Sequence, residues 1–160
     1  MALATDFGSL QLKDSIFQLS DNSPVSQICV LIQGVQAANI AGCQFLDGYG
    51  GVSVSVGGGA NIFDCIFNGQ KYYGIAPSIA ATVSIDSCLF RNQENVIEST
   101  TGAQSIVMSN SVVESVSDCS FLFLHPRSVA VNNCDLAAGS MGVVYILLTA
   151  ILAPTRSTWT

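Results

Sequence analysis

Four cysteines, Cys43, Cys65, Cys88 and Cys134, stand on a near-regular lattice in this chain of 160 residues. The first two steps are 22 and 23 residues, and the last is 46, twice the spacing. Thiols can ligate metal, cross-link or carry redox chemistry. Zinc sites of familiar type bring ligands two to four residues apart, and the only histidine is His125. A disulfide needs converging Cβ–Sγ vectors, which side chains stacked in parallel do not offer. Cys29 and Cys119 lie outside the lattice. Among charged residues, Asp86, Arg91 and Glu94 come nearest to a mixed acid–base cluster, and they are the catalytic candidates. Glycoside cleavage needs two carboxyl groups facing each other about 5–10 Å apart. Asp86 and Asp135 are the clearest outward carboxylates, but they fall in different columns. His125 precedes a proline, which reads as loop, with Arg127 nearby. "SVGGGAN" (55–61) lacks the trailing Lys-Ser/Thr of a phosphate loop and reads as a turn.

Composition narrows the function classes. Charged residues make up 10% and apolar residues 49%, with a net charge of −6. Globular chains ordinarily carry about 25% charged residues. Five Lys and Arg cannot form a nucleic-acid footprint. The longest apolar run, "MGVVYILLTAILA" (141–153), has 13 residues, whereas a spanning helix needs about 20. It reads as a buried strand or a terminal cap, and membrane contact is the lesser reading. "MALATDFGSLQLKDSIF" has neither the basic start nor the apolar centre of a secretory signal.

The cysteines belong to a repeat. Six segments align: "LQLKDSIF" (10–17), "ANIAGCQF" (38–45), "ANIFDCIF" (60–67), "VSIDSCLF" (83–90), "IVMSNSVV" (106–113) and "VAVNNCDL" (129–136). Their starts differ by 28, 22, 23, 23 and 23 residues, so the first interval holds a loop near 20–27. Positions one and three are apolar. Position five is a bend residue: Asp14, Gly42, Asp64, Ser87, Asn110 or Asn133. Position six is always small: Ser15, Cys43, Cys65, Cys88, Ser111, Cys134. Period two on each side of a bend means strands. A further strand per unit is expected at 29–32, 52–56, 75–79, 96–100, 121–124 and 143–148. A β-sandwich does not demand the same residue types at the same phase, but a stacked coil does.

The expected fold is therefore all-β: a right-handed parallel β-helix, or β-solenoid, of about six coils of 22–23 residues. With strands about 4.8 Å apart, the rod is on the order of 30 Å long. Residues 1–160 read as one domain, part of a longer chain or assembly, with 141–160 as a cap or docking segment. "SVSDCSF" (115–121) imitates the motif out of phase, and the constant spacing from Ser111 to Cys134 keeps it off the lattice. The position-six column reads as a ladder of compact, inward thiols. Position seven faces outward and reads Ile16, Gln44, Ile66, Leu89, Val112, Asp135. Its members Ile16, Ile66, Leu89 and Val112 are candidate interface residues.

"NIFDCIFNGQ" and "SIDSCLFRNQ" resemble the repeats of right-handed parallel β-helix proteins. That group includes pectate-lyase-like carbohydrate enzymes, phage tailspikes and surface proteins with polymorphic-outer-membrane-type repeats. The resemblance covers roughly residues 10–148 and is nearest to the surface proteins, in the step from "C-x-F" into a Gly- or Asn-containing turn. It implies a fold, and a fold does not carry a function by itself. The leading expectation is a non-enzymatic structural, surface-adhesion or spike-type module that needs no cofactor. It acts through a protein partner or self-association, outside the cell, on its surface or on a virion. The rival is a carbohydrate-active β-helix, lyase- or hydrolase-like, or a degenerate fragment of one, with polysaccharide as its partner.

Overall fold

The computed structural model describes residues 8–20, 27–33, 37–99, 102, 104–124, 126–140 and 142–147. The first coil is β1 (Ser9–Lys13), β2 (Ile16–Gln18) and β3 (Ile28–Ile32), and the second is β4 (Ala37–Ala41), β5 (Gln44–Leu46) and β6 (Gly50–Val54). The third comprises β7 (Gly59–Phe63), β8 (Ile66–Asn68) and β9 (Tyr73–Pro77), and the fourth β10 (Thr82–Asp86), β11 (Leu89–Arg91) and β12 (Gln93–Ser99). β13 (Ser105–Ser109), β14 (Val112–Val113) and β15 (Val116–Leu124) make the fifth, and β16 (Ser128–Asn132), β17 (Asp135–Leu136) and β18 (Gly142–Leu147) the sixth. Every third strand stacks on its counterpart. The result is three six-stranded sheets, β1-β4-β7-β10-β13-β16, β2-β5-β8-β11-β14-β17 and β3-β6-β9-β12-β15-β18. All the strand pairs in them are parallel, as the repeat requires.

Stacking in register puts like on like. Ile40, Ile62, Ile85 and Met108 form one buried column of the first sheet. In the second sheet Phe17, Phe45, Phe67 and Phe90 lie ring on ring, with centroids 5.3, 4.7 and 4.8 Å apart and nearly parallel planes. Val30, Val52, Ile75, Ile97 and Phe121 supply the third wall. Three sheets thus bury one shared core along the rod, and each fully buried large side chain contributes about 1.5–3 kcal/mol. End coils lack a neighbour on one side. Leu10 and Leu12 are only half-buried, and Val131 is exposed at the other end.

The bend column sets the corner between the first two sheets. Asp14, Gly42, Asp64, Ser87, Asn110 and Asn133 have φ between 47° and 61°. Gly, Asn and Asp tolerate this left-handed region best, which explains the residue types there. One irregularity resolves the out-of-phase "SVSDCSF". Gln93 pairs with Val116 but Asn95 with Cys119, so β15 carries one extra residue in that step. It is a β-bulge in the third sheet, and the lattice through Ser111 is intact, since Ser111 O accepts the Asp135 N–H at 3.0 Å. β18 ends the third sheet. Residues 148–160, most of the 20–27 loop and His125 lie outside the described residues.

Candidate functional site

The position-six side chains prove to have a task beyond being small. Each donates across the bend to the carbonyl two residues earlier. Cys43, Cys65, Cys88 and Cys134 reach Ala41, Phe63, Asp86 and Asn132 at 3.3, 3.2, 3.3 and 3.2 Å. Ser15 and Ser111 do the same to Lys13 and Ser109, both at 2.8 Å. The same carbonyls of Ala41, Phe63, Asp86, Ser109 and Asn132 accept the bend N–H of the preceding coil. Both lone pairs are thereby used at a point where the backbone turns. A small residue with a donor is required, and only cysteine and serine meet that need here. The sequence pattern conveys size and hides the donor.

All six cysteines are free thiols. Cys43, Cys65 and Cys88 are buried, while Cys134 in the last coil is half-buried. The Cys65–Cys88 contact favours the thiolate at Cys65 and pushes Cys88 up, with burial adding to the rise. Burial raises Cys29 and Cys119, each to about 11. Among the described residues no group of three His, Cys, Asp or Glu side chains is placed to hold a metal ion.

Asp86, Arg91 and Glu94 do not converge. They lie at the end of β10, the end of β11 and within β12, on three different sheets. Asp86 accepts hydrogen bonds from Ser109 (2.7 Å), Asn110 (2.8 Å) and Ser87 (3.1 Å). These hold its carboxyl below the usual range, so it is poorly suited to act as an acid. Asn133 extends the polar ladder by donating to Asn110 at 2.8 Å. Glu94 is raised by burial and by Asp118.

The position-seven residues lie on the outer face of the second sheet in one register, Ile16–Gln44–Ile66–Leu89–Val112–Asp135. Ile16 is 66% and Val112 40% exposed, while Ile66 and Leu89 are half-buried. The three central residues line a shallow groove of about 490 Å³, flanked by Asp64, Asn110 and Glu114.

A family model described as right handed beta helix region matches residues 28–150. The chain belongs to this right-handed β-helix family. No curated protein and no solved structure gives a significant match.

This β-helix has a second unusual surface, on its third sheet. Tyr49 and Tyr72 stack at 4.9 Å, and Tyr73 meets Tyr72 edge-on at 6.1 Å. Glu98 lies in the outward column of that sheet beside Leu122, yet it is only 6% exposed. Its Oε2 is buried without a hydrogen-bond partner. Burial, then Glu94 and Asp118, push its carboxyl up to about 7. Sequence reasoning gave no signal for Glu98, because a glutamate in a strand ordinarily points to water.

Proposed function

We propose that this β-helix is a non-enzymatic module that binds protein through the outer face of its second sheet, as a structural, surface-adhesion or spike-type unit. One observation carries the reading: Ile66, Leu89 and Val112 stand side by side on three consecutive coils. Solvated strand faces ordinarily carry polar residues. Scattered apolar residues need no explanation, whereas a contiguous stripe marks a contact surface. An apolar sheet face suits a second sheet face, so the favoured partner is another copy of the chain or a neighbouring β-helix. An extracellular, cell-surface or virion setting is compatible with thiols withdrawn from solvent. The carbohydrate-active alternative would need convergent acid and base groups, and the separation of Asp86, Arg91 and Glu94 gives it no support.

Sedimentation velocity tests the proposal. The wild-type chain is expected to self-associate as concentration rises. Leu89→Lys places a charge in the middle of the stripe and is expected to leave a β-rich monomer by circular dichroism. A wild type monomeric at high concentration, or a Leu89→Lys profile identical to it, overturns the self-association reading. Cleavage of an acidic polysaccharide that is lost in Asp86→Ala would establish the rival.

A further inference from the structure

Glu98 poses a problem of its own. A carboxylate withdrawn from water is costly unless a partner compensates it. This one is 94% withdrawn, from its 6% exposure, and its Oε2 has no hydrogen bond. The cause lies in its neighbours. Ser53 and Ala76 pair in register, and Glu98 stands one coil above Ala76. These small side chains leave a groove of about 360 Å³, walled by Tyr72, Tyr73, Pro77 and Ser78, with Glu98 in its lining. Tyr73 is packed over Gly50, where a Cβ would come within 2.3 Å of the ring. The wall is therefore held by a glycine one coil away.

The two charges that act on Glu98, Glu94 and Asp118, are both negative. Asn95 pairs with Tyr73, so the residues before them, Tyr72 and Glu94, are neighbours on adjacent coils, and Asp118 lies in the bulge just before Cys119, which pairs with Asn95. One face of Tyr72 is used by Tyr49. The next coil brings Glu94 beside Tyr72, and the coil after that carries Asp118 in the bulge. Both act on Glu98 electrostatically, and Glu98 in turn raises the Tyr72 hydroxyl. The groove therefore combines a buried carboxylate with one unpartnered oxygen, aromatic rings and apolar walls, and Glu94 and Asp118, outside its lining, add negative charge. The complementary group is positive, with an apolar stem. An inorganic ion is a poor fit, because no three carboxylates among the described residues converge as ligands. A guanidinium or alkylammonium can pair with a carboxylate and lie against a ring at once.

We propose that the groove at Glu98, Tyr72 and Tyr73 is a binding site for an organic cation, an alkylguanidinium or alkylammonium group. Glu98 supplies the charge partner and Tyr72 the ring. The group comes either from a free small cation or from an arginine or lysine side chain of a protein. This site is on the third sheet and does not depend on the apolar stripe of the second.

Butylguanidinium and its neutral analogue butylurea are the probes, titrated at pH 8 and followed by the chemical shifts of the tyrosine ring protons. A second pair, the blocked peptides Gly-Arg-Gly and Gly-Gln-Gly, distinguishes the two sources. Expected is saturable binding of butylguanidinium and of the Arg peptide, each at least tenfold tighter than its neutral counterpart. Tighter binding of the peptide assigns the site to a protein side chain, and equal or tighter binding of butylguanidinium assigns it to a free cation. Glu98→Gln, which keeps shape and removes charge, is expected to abolish the preference for the cation in both pairs. It is also expected to raise the melting temperature of the free protein at pH 8, which shows that the variant is folded. Tyr72→Phe keeps the ring and the binding, and Tyr72→Leu weakens it several-fold. Equal affinity for charged and neutral probes, or a cation preference that survives Glu98→Gln, overturns the proposal.

Discussion

Replacing Phe67 by alanine removes the central rung of the aromatic ladder. Phe67 is fully buried and stacks on Phe45 at 4.7 Å and on Phe90 at 4.8 Å. A buried Phe→Ala change costs about 3–5 kcal/mol. Two stacked neighbours, each worth about 0.5–1.5 kcal/mol beyond area, place this site near the upper end of that range. The end of the same column gives an internal control. Phe17 is half-buried, with its described stacking partner, Phe45, at the longer distance of 5.3 Å. Phe17→Ala is expected to cost about 1–2 kcal/mol, through roughly half the burial and one stacked pair. Urea unfolding followed by far-ultraviolet circular dichroism measures both. Coils contact chiefly their neighbours, so losing a middle rung weakens the coupling between two half-rods. The Phe67→Ala transition should therefore broaden as well as move, whereas that of Phe17→Ala should only move. Equal costs for the two variants would refute the claim that position along the rod sets the energy of a rung.

Two further outcomes follow from the bend and the groove. Cys65 is 1% exposed, so a thiol reagent should label it only after denaturation, despite a thiolate favoured by Cys88. Cys65→Ser keeps the donor and should be mild, Cys65→Ala should lose about 1 kcal/mol with the hydrogen bond, and Cys65→Leu should lose about 1–3 kcal/mol through overpacking, all measured by chemical denaturation. If Cys65→Ala matched Cys65→Ser, size alone would explain the column. For Glu98, the folded-state value is raised, so the native protein holds a proton that the unfolded chain has released. Stability then declines as pH rises from about 4.5 to about 7. That shift corresponds to about 3 kcal/mol at about 1.36 kcal/mol per unit, and solvent screening at the groove mouth brings it to about 1–2 kcal/mol. Melting temperatures across this pH range should fall in the wild type and fall less in Glu98→Gln, with the remaining slope coming from Glu94.

The fold was legible because a stacked coil writes its geometry into the sequence at a fixed interval. Phe45, Phe67 and Phe90 recur because each ring rests on the last. Asp64, Ser87 and Asn110 recur because each occupies the left-handed corner. The donor role of Cys65 was not legible, since serine and cysteine are also the natural choices where space alone is short. The backbone had to show that their sulfur and oxygen atoms reach the carbonyl two residues back. Asp86 looked like a free carboxylate because its partners Ser109 and Asn110 stand 23 and 24 residues away. Glu98 was invisible for a related reason. It shares a groove with residues of other coils, and one of them, Tyr73, lies over Gly50.

The same lattice indicates where function can be written. Inward columns are confined to residues that fill the core or serve the bend. Outward columns carry no such restriction, and their departures from ordinary polar strand residues need another cause. Two of these departures carry the proposed surfaces. On the second sheet, Ile66, Leu89 and Val112 interrupt a column that has Gln44 on one side and Asp135 on the other. On the third, Glu98 interrupts a column otherwise formed by Leu31, Ser53, Ala76, Leu122 and Tyr145. The first is apolar where water is expected, and the second is charged where water is excluded. They call for opposite partners, one a flat apolar face and the other a compact cation. Because they lie on different sheets of the rod, a partner on one need not cover the other. The oligomerisation test at Leu89 and the cation test at Glu98 therefore address separate surfaces, and failure of either leaves the other standing.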